Sequence, residues 1–131
     1  MRIWFIALLA FTWPASELAD QNLAQSFLDQ PELQSYYHSN QKGREQLYIV
    51  NNGKIDPNLS LTKFGLPVPI QEVKVLFFHG ITNNIAFDSV RIDSSSAYLK
   101  AFYQAENIQI EASYAYQAKK WVNTAYSIKE Q

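Results

Sequence analysis

The sequence predicts an α+β fold in which an N-terminal helix, or a broken helix pair, packs on one face of a curved antiparallel β-meander. Three observations carry that prediction. Between Glu17 and Asn40, Leu18, Leu23, Phe27, Leu28, Leu33 and Tyr37 recur at spacings that suit an apolar helical stripe. Beyond residue 85, apolar and polar residues alternate with the period of a strand. When the alternating segments are aligned through short turns, their apolar residues share one face, which can receive the helices.

The chain opens with Met1–Trp13, where Arg2 is followed by an almost unbroken apolar run without an acid. Spanning a bilayer takes about 20 apolar residues, so this run is too short. A positive start, a short apolar core and then Pro14, Ala15 and Ser16 match a secretory signal peptide. Residues 1–16 are therefore read as a leader, with cleavage between 15 and 19, and residues 17–131 as a single α+β domain. Neither cut has an ideal small residue at −3: Trp13 stands there for cleavage after Ala15, and Glu17 for cleavage after Ala19. The chain has no cysteine, which excludes a lipid anchor, disulfides and thiol chemistry together. Export without disulfides suits a periplasmic, or secreted, location, with no membrane attachment once the leader is removed.

Within the domain, Pro31 divides the helical region in two, with Asp29 placed to cap the second helix. Gln46–Val50 reads as a short strand ending at the turn signal Asn51-Asn52-Gly53. Lys54–Pro69 holds Pro57, Pro67, Pro69 and Gly65, and reads as an irregular connection. Strands are expected at about 70–79, 85–93, 96–105, 108–117 and 121–129. A two-residue loop at Glu106-Asn107 sets Ala105 opposite Ile108, Tyr103 opposite Ile110, Ala101 opposite Ala112 and Leu99 opposite Tyr114, all on an inner face. A loop at Ser94-Ser95 adds Ile92, Val90 and Ala86 to that face, and a three-residue loop at Ala118–Lys120 adds Val122, Thr124, Tyr126 and Ile128.

The leading helix, the Tyr36-Tyr37 pair, the Lys63–Val68 segment and the closing Lys120-Trp121-Val122…Tyr126-Ser127-Ile128 strand resemble small exported bacterial proteins of unassigned role. Their shape is similar to the cystatin-like or NTF2-like α+β group. That resemblance implies a shape only, since such folds host enzymes, ligand carriers and interaction modules alike.

Several chemistries are excluded. Without Arg2 the chain carries ten Lys+Arg against twelve Asp+Glu, a net −2, with no basic run beyond Lys119-Lys120; a nucleic-acid surface needs a clustered positive footprint. The two histidines, His38 near a helix end and His79 at an expected hairpin tip, do not make a metal site, and no cofactor motif occurs. Ser89, Ser94 and Ser95 lack a nucleophile elbow.

Two features stand above this background. The strand register places Asp88 on the inner face, beside Ala101 and between Ala86 and Val90, where a carboxylate would serve as a general base with Tyr103 and Tyr114 in support. The reading preferred over this one is that Asp88 falls near the sheet end or at a bulge and bonds to backbone or water. On the outer face Phe87 opposes Phe102, flanked by Tyr98 and Ile85, with Trp121 extending the patch. Apolar area on an exposed sheet marks a protein contact, unless Lys54–Pro69 folds over it. The sequence thus points first to a non-enzymatic interaction module, either a homodimer or an inhibitor (immunity-type) partner of another exported protein. The alternative is a small-ligand-binding or acid–base cleft built on Asp88.

Overall fold

Asp20 begins the helical layer, its carboxylate accepting the Leu23 amide at 3.0 Å and so satisfying one orphan donor of the first turn. In the computed structural model, which describes residues 16–131, helix α1 (Gln21–Asp29) and helix α2 (Pro31–Tyr37) follow one another with a single-residue break. The expected leader lies outside the described residues. Gln30 is extended because a residue preceding proline is pushed out of the helical region, while Pro31 suits the first turn of α2. Gln30 therefore stands at the N-cap of α2, with no side-chain cap bond. Asp29, expected there, instead pairs with Lys63 at 2.9 Å. The Tyr37 hydroxyl donates to the Leu28 carbonyl at 2.8 Å and ties the two helices together.

The sheet contains β1 (Tyr48–Val50), β4 (Ile70–Gln71), β5 (Asn84–Ile92), β6 (Ser96–Tyr103), β7 (Ile108–Gln117) and β8 (Lys120–Glu130), in the order β4-β1-β5-β6-β7-β8. The β5–β8 meander is antiparallel, while β1 runs parallel to both β4 and β5. Two-residue strands β2 (Thr62–Lys63) and β3 (Leu66–Pro67) form a separate small hairpin. The α+β architecture with helices on one sheet face is the one that the sequence predicts.

Four details differ from expectation, each for a local reason. The strand expected at 70–79 is only β4; Val73–Phe78 forms helix α3. A short apolar run fits either period, and the decision falls to Gly80 at φ +65°. The Ile81 amide donates to Leu76 O at 2.9 Å and the Gly80 amide to Phe77 O at 3.0 Å, the paired bonds of a Schellman stop. The β6–β7 connection is a 3-10 turn (Gln104–Glu106) closed by Asn107 at φ 53°, so Tyr103 pairs Ile108 and Ala101 pairs Ile110. This slip of two residues changes the partners and preserves the faces. The β7–β8 turn is Ala118-Lys119, both left-handed, and an extra residue at Thr124 restores the expected pairing of Ala112 with Tyr126. Val122 consequently pairs Ala115 on the outer face.

The fourth difference reaches the candidate site, where the bulge reading of Asp88, not the inner-face one, is the one observed. Val90 pairs Leu99 as expected from the Ser94-Ser95 loop, but the register shifts between Phe87 and Ser89, leaving Asp88 unpaired in a bulge. Upstream of the bulge every side chain changes face. Phe87 and Ile85 point into the core at 1% and 0% exposure, and Ala86 turns outward. There Phe87 meets Phe27 of α1 with ring centroids 5.0 Å apart.

Lys54–Pro69 lies along the helical layer rather than over the outer sheet face. Leu18 bridges to Ile55. The side-chain amides of Gln21 and Gln25 hydrogen-bond the backbone N–H and C=O of Ser60 and Thr62, as a neighbouring strand would. The bulge assigns opposite fates to adjacent residues. Phe87→Ala is expected to lower unfolding stability by about 3–5 kcal/mol, and Asp88→Asn to change it by less than about 0.5 kcal/mol. Urea denaturation of the two variants measures both.

Candidate functional site

Asp88 is exposed, beside Lys54 and Arg91 at a shallow hollow of about 210 Å³. It is no longer next to Tyr103 or Tyr114, which are both buried on the inner face. Those two tyrosines are not neighbours either. Tyr103 pairs Ile108 at one end of β6, and Tyr114 pairs Ala97 at the other, six residues or about 20 Å along the strand. The Tyr103 hydroxyl donates to Asn83 Oδ1, and that of Tyr114 accepts from Gln30 Nε2 at 3.5 Å. Burial pushes the Tyr103 hydroxyl up to about 12, against the pull of the Arg44 guanidinium, and it raises Tyr114 as well. The inner face is packed with Leu99, Ala101, Ile110 and Ala112, and Asp88 lies outside it.

The residues expected to form an outer-face interface are also dispersed. Ile85 and Phe87 are core residues because of the bulge. Tyr98 and Phe102 do lie on the outer face, half-buried, but Lys100 stands between them and pairs Glu111 across the ladder. Arg91 lies over the Tyr98 ring at 5.9 Å, and burial together with the Glu111 carboxylate raises the Tyr98 hydroxyl. Trp121 pairs Tyr116 and so belongs to the helical side, where its Nε1 donates to Asp20 Oδ2 at 3.1 Å. This face is a mixed polar surface rather than an apolar patch.

The apolar surface is elsewhere. On α3, Val73, Phe77 and Phe78 are 63%, 85% and 83% exposed, while Leu76 anchors the helix at 1%. Beside them lies a hollow of about 310 Å³ walled by Val73 and Phe77, floored by Leu76 and Ile81, and rimmed by Asn84 and Gln104. The rim is fixed, since Asn84 Nδ2 donates to Ile81 O at 3.0 Å and to Gln104 Oε1 at 2.9 Å. Glu72 and Lys74 sit 3.9 Å apart at the start of the helix. The sequence signal for this site is Gly80 following an apolar run with no alternation. As a helix anchored along one side, Val73–Phe78 has more apolar residues than it can bury.

The histidines serve structural positions. His38 ends α2 in the left-handed conformation, and His79 ends α3 rather than tipping a hairpin. His38 Nε2 lies 3.7 Å from Glu106, whose carboxylate also receives Arg44. Arg44 in turn caps the Tyr36 and Tyr37 carbonyls at 3.4 and 3.1 Å, fastening the end of α2 to the β6–β7 turn. No group of three His, Cys, Asp or Glu able to hold a metal occurs among the described residues, and none of the described helices is long and apolar enough to cross a membrane.

The buried hydroxyls set an alkaline limit on stability. An unfolded tyrosine ionises near 10, whereas Tyr103 in the fold holds its proton to about 12 and Tyr37 and Tyr126 are raised further. Above pH 10 the folded chain therefore binds more protons than the unfolded one, and stability falls as pH rises. Urea midpoints should decline from pH 10 towards 12, less steeply in Tyr103→Phe; an unchanged slope in that variant would contradict the assignment. Comparison with family models, with curated proteins and with solved structures finds no match to this chain.

Proposed function

We propose that this protein is a non-enzymatic, exported interaction module that binds an apolar protein surface through α3. One observation carries the reading: two adjacent phenylalanines, Phe77 and Phe78, stand 85% and 83% exposed on a helix whose place is fixed by Leu76. Contiguous apolar area of this kind on a water-exposed surface marks a contact site. The inner sheet face supports the same reading from the other side, because its side chains are committed to the core.

Charge favours a protein over an anionic bilayer as the partner. Membrane surfaces recruit clustered Lys and Arg, whereas α3 carries one cation, Lys74, beside Glu72. The partner class is either a second copy or another exported protein held by inhibition, as an immunity protein holds its toxin. Export rests on Arg2, the apolar run at residues 3–13 and the Pro14-Ala15-Ser16 segment behind it.

Affinity capture from a periplasmic extract tests the interaction. The wild type should retain a stoichiometric protein partner, and Phe77→Glu with Phe78→Glu should lose it while melting at the same temperature. Identical eluates from both would overturn the reading. Export predicts that the intact mass of the periplasmic form begins between residues 16 and 20; a full-length chain confined to the cytoplasm would refute it.

A further inference from the structure

We infer that the hollow at the β7–β8 turn is a binding site in its own right, one that holds a six-membered sugar ring carrying a carboxylate. It shares no residue with the hollow at α3 and stands independently of the reading given above. The hollow, of about 250 Å³, lies where the turn meets the start of α1, and is walled by Tyr116, Trp121, Lys119, Lys120, Asp20 and Asn22. An apolar cavity of roughly 150 Å³ already admits benzene, so the space accommodates one such ring.

Packing accounts for Trp121, which is half-buried against the core and donates Nε1 to Asp20 Oδ2 at 3.1 Å. It does not account for the features around that fixed indole. Tyr116 is exposed, and its ring meets that of Trp121 at 61° with centroids 5.0 Å apart. The turn is strained as well. Both of its central residues are left-handed, Ala118 at φ 51° and Lys119 at φ 66°, in a geometry that Asn-Gly fills without cost. Strain of this kind clusters at ligand sites, and here it belongs to the residue whose side chain walls the hollow. Among the described residues, neither Lys119 nor Lys120 has a carboxylate partner.

Each feature matches one part of an acidic sugar. The C–H bonds on one side of a pyranose carry partial positive charge and rest on the negative face of an aromatic ring. Two rings at a steep angle form a corner rather than a parallel slot, which suits a puckered ring better than a flat base. Asp20 already accepts from the Leu23 amide and the Trp121 indole, yet its carboxylate has lone pairs to spare for sugar hydroxyls, and Asn22 adds donors. Lys119 and Lys120 supply ammonium groups that take a carboxylate as point charges. Two lysines against Asp20 leave an excess of one positive charge, which one carboxylate balances. A phosphate dianion would stand against Asp20. The ionic contacts are solvent-exposed and therefore weak, which sets the affinity for one ring at about millimolar.

Tryptophan emission reads the site directly, because Trp4 and Trp13 are the only other tryptophans and both lie in the expected leader. In the full chain carrying Trp4→Phe and Trp13→Phe, trigalacturonate should shift the emission saturably, and the neutral maltotriose should bind at least about tenfold more weakly. N-Acetylmuramate, tested beside it, distinguishes a peptidoglycan source of the acidic ring from a uronate polymer; saturable binding of either acid supports the inference. Tyr116→Ala should weaken that binding about tenfold. Ala118→Asn with Lys119→Gly should weaken it about threefold while raising the melting temperature, since the turn is relaxed as the cation is removed. Phe77→Glu with Phe78→Glu should leave it unchanged, so that failure here and failure at α3 are read separately. No shift with either acid up to about 20 mM overturns the inference, as does maltotriose binding as tightly as trigalacturonate, or glucose 6-phosphate binding more tightly.

Discussion

The bulge at Asp88 is the constraint on which the rest of the structure depends. Side chains three apart on a regular strand face opposite ways, yet Phe87 and Val90 both enter the core, because one extra residue lies between them. Without it, either Ile85 and Phe87 or Val90 and Ile92 would turn to solvent, and α1 would lose the Phe87 ring against which Phe27 packs. The bulge is also wired into the chain around it. Asn52 Nδ2 donates to the Phe87 carbonyl at 3.0 Å, Asn52 Oδ1 accepts from the Lys54 amide at 3.1 Å, and the Lys54 carbonyl receives the Leu18 amide at 2.8 Å. One inserted residue therefore positions the Asn52–Gly53 turn, and through it the start of the helical layer. Asp88 is suited to the place because a carboxylate in a bulge remains in water at little cost.

This explains what was legible in the sequence. β7 is regular, and its limits, Ile108 to Gln117, follow from its alternation and the turn residues on either side. The faces of β6 and β7 were also readable, because an error of two residues in their pairing leaves every side chain on its own side. An insertion of one residue is different. Thr124 has no local signature separating it from a paired residue, and Asp88 signals a bulge only as a carboxylate at an apparent inner-face position; each reverses the parity of the strand around it. The placement of Asp88, Phe87, Ile85 and Trp121 turned on those two residues, so the expected site dissolved while the fold class stood. The exposed apolar surface of α3 was hidden for a separate reason. Val73–Phe78 is apolar at nearly every position and carries no period, and only Gly80, two residues beyond, identifies it as a helix.

The same bulges shape the sheet that carries the helices. They lie in β5 and β8, on either side of the regular β6–β7 pair, and each adds local right-handed twist. The flanking strands can then turn towards α1 and α2, as the bond from the Tyr126 hydroxyl to the Phe27 carbonyl at 3.1 Å illustrates. The concave side is filled in consequence, with Tyr37, Tyr103 and Tyr114 each fully buried and each raised by that burial. A fold of this shape keeps an open cleft only where small or missing side chains leave one. Here the large aromatic residues occupy the space instead.

Stability therefore accounts for the inner face and not for α3. Leu76 holds the helix against the domain, and the Schellman bonds at Gly80 and Ile81 fix where it ends. Nothing in that arrangement requires aromatic rings at positions 77 and 78, which project into water. In the proposed contact, holding the two rings on an anchored turn would lower the ordering cost of association, because the surface is arranged beforehand. Burial and exposure thus separate within three consecutive residues: Leu76 belongs to the core, and Phe77 and Phe78 stand outside it.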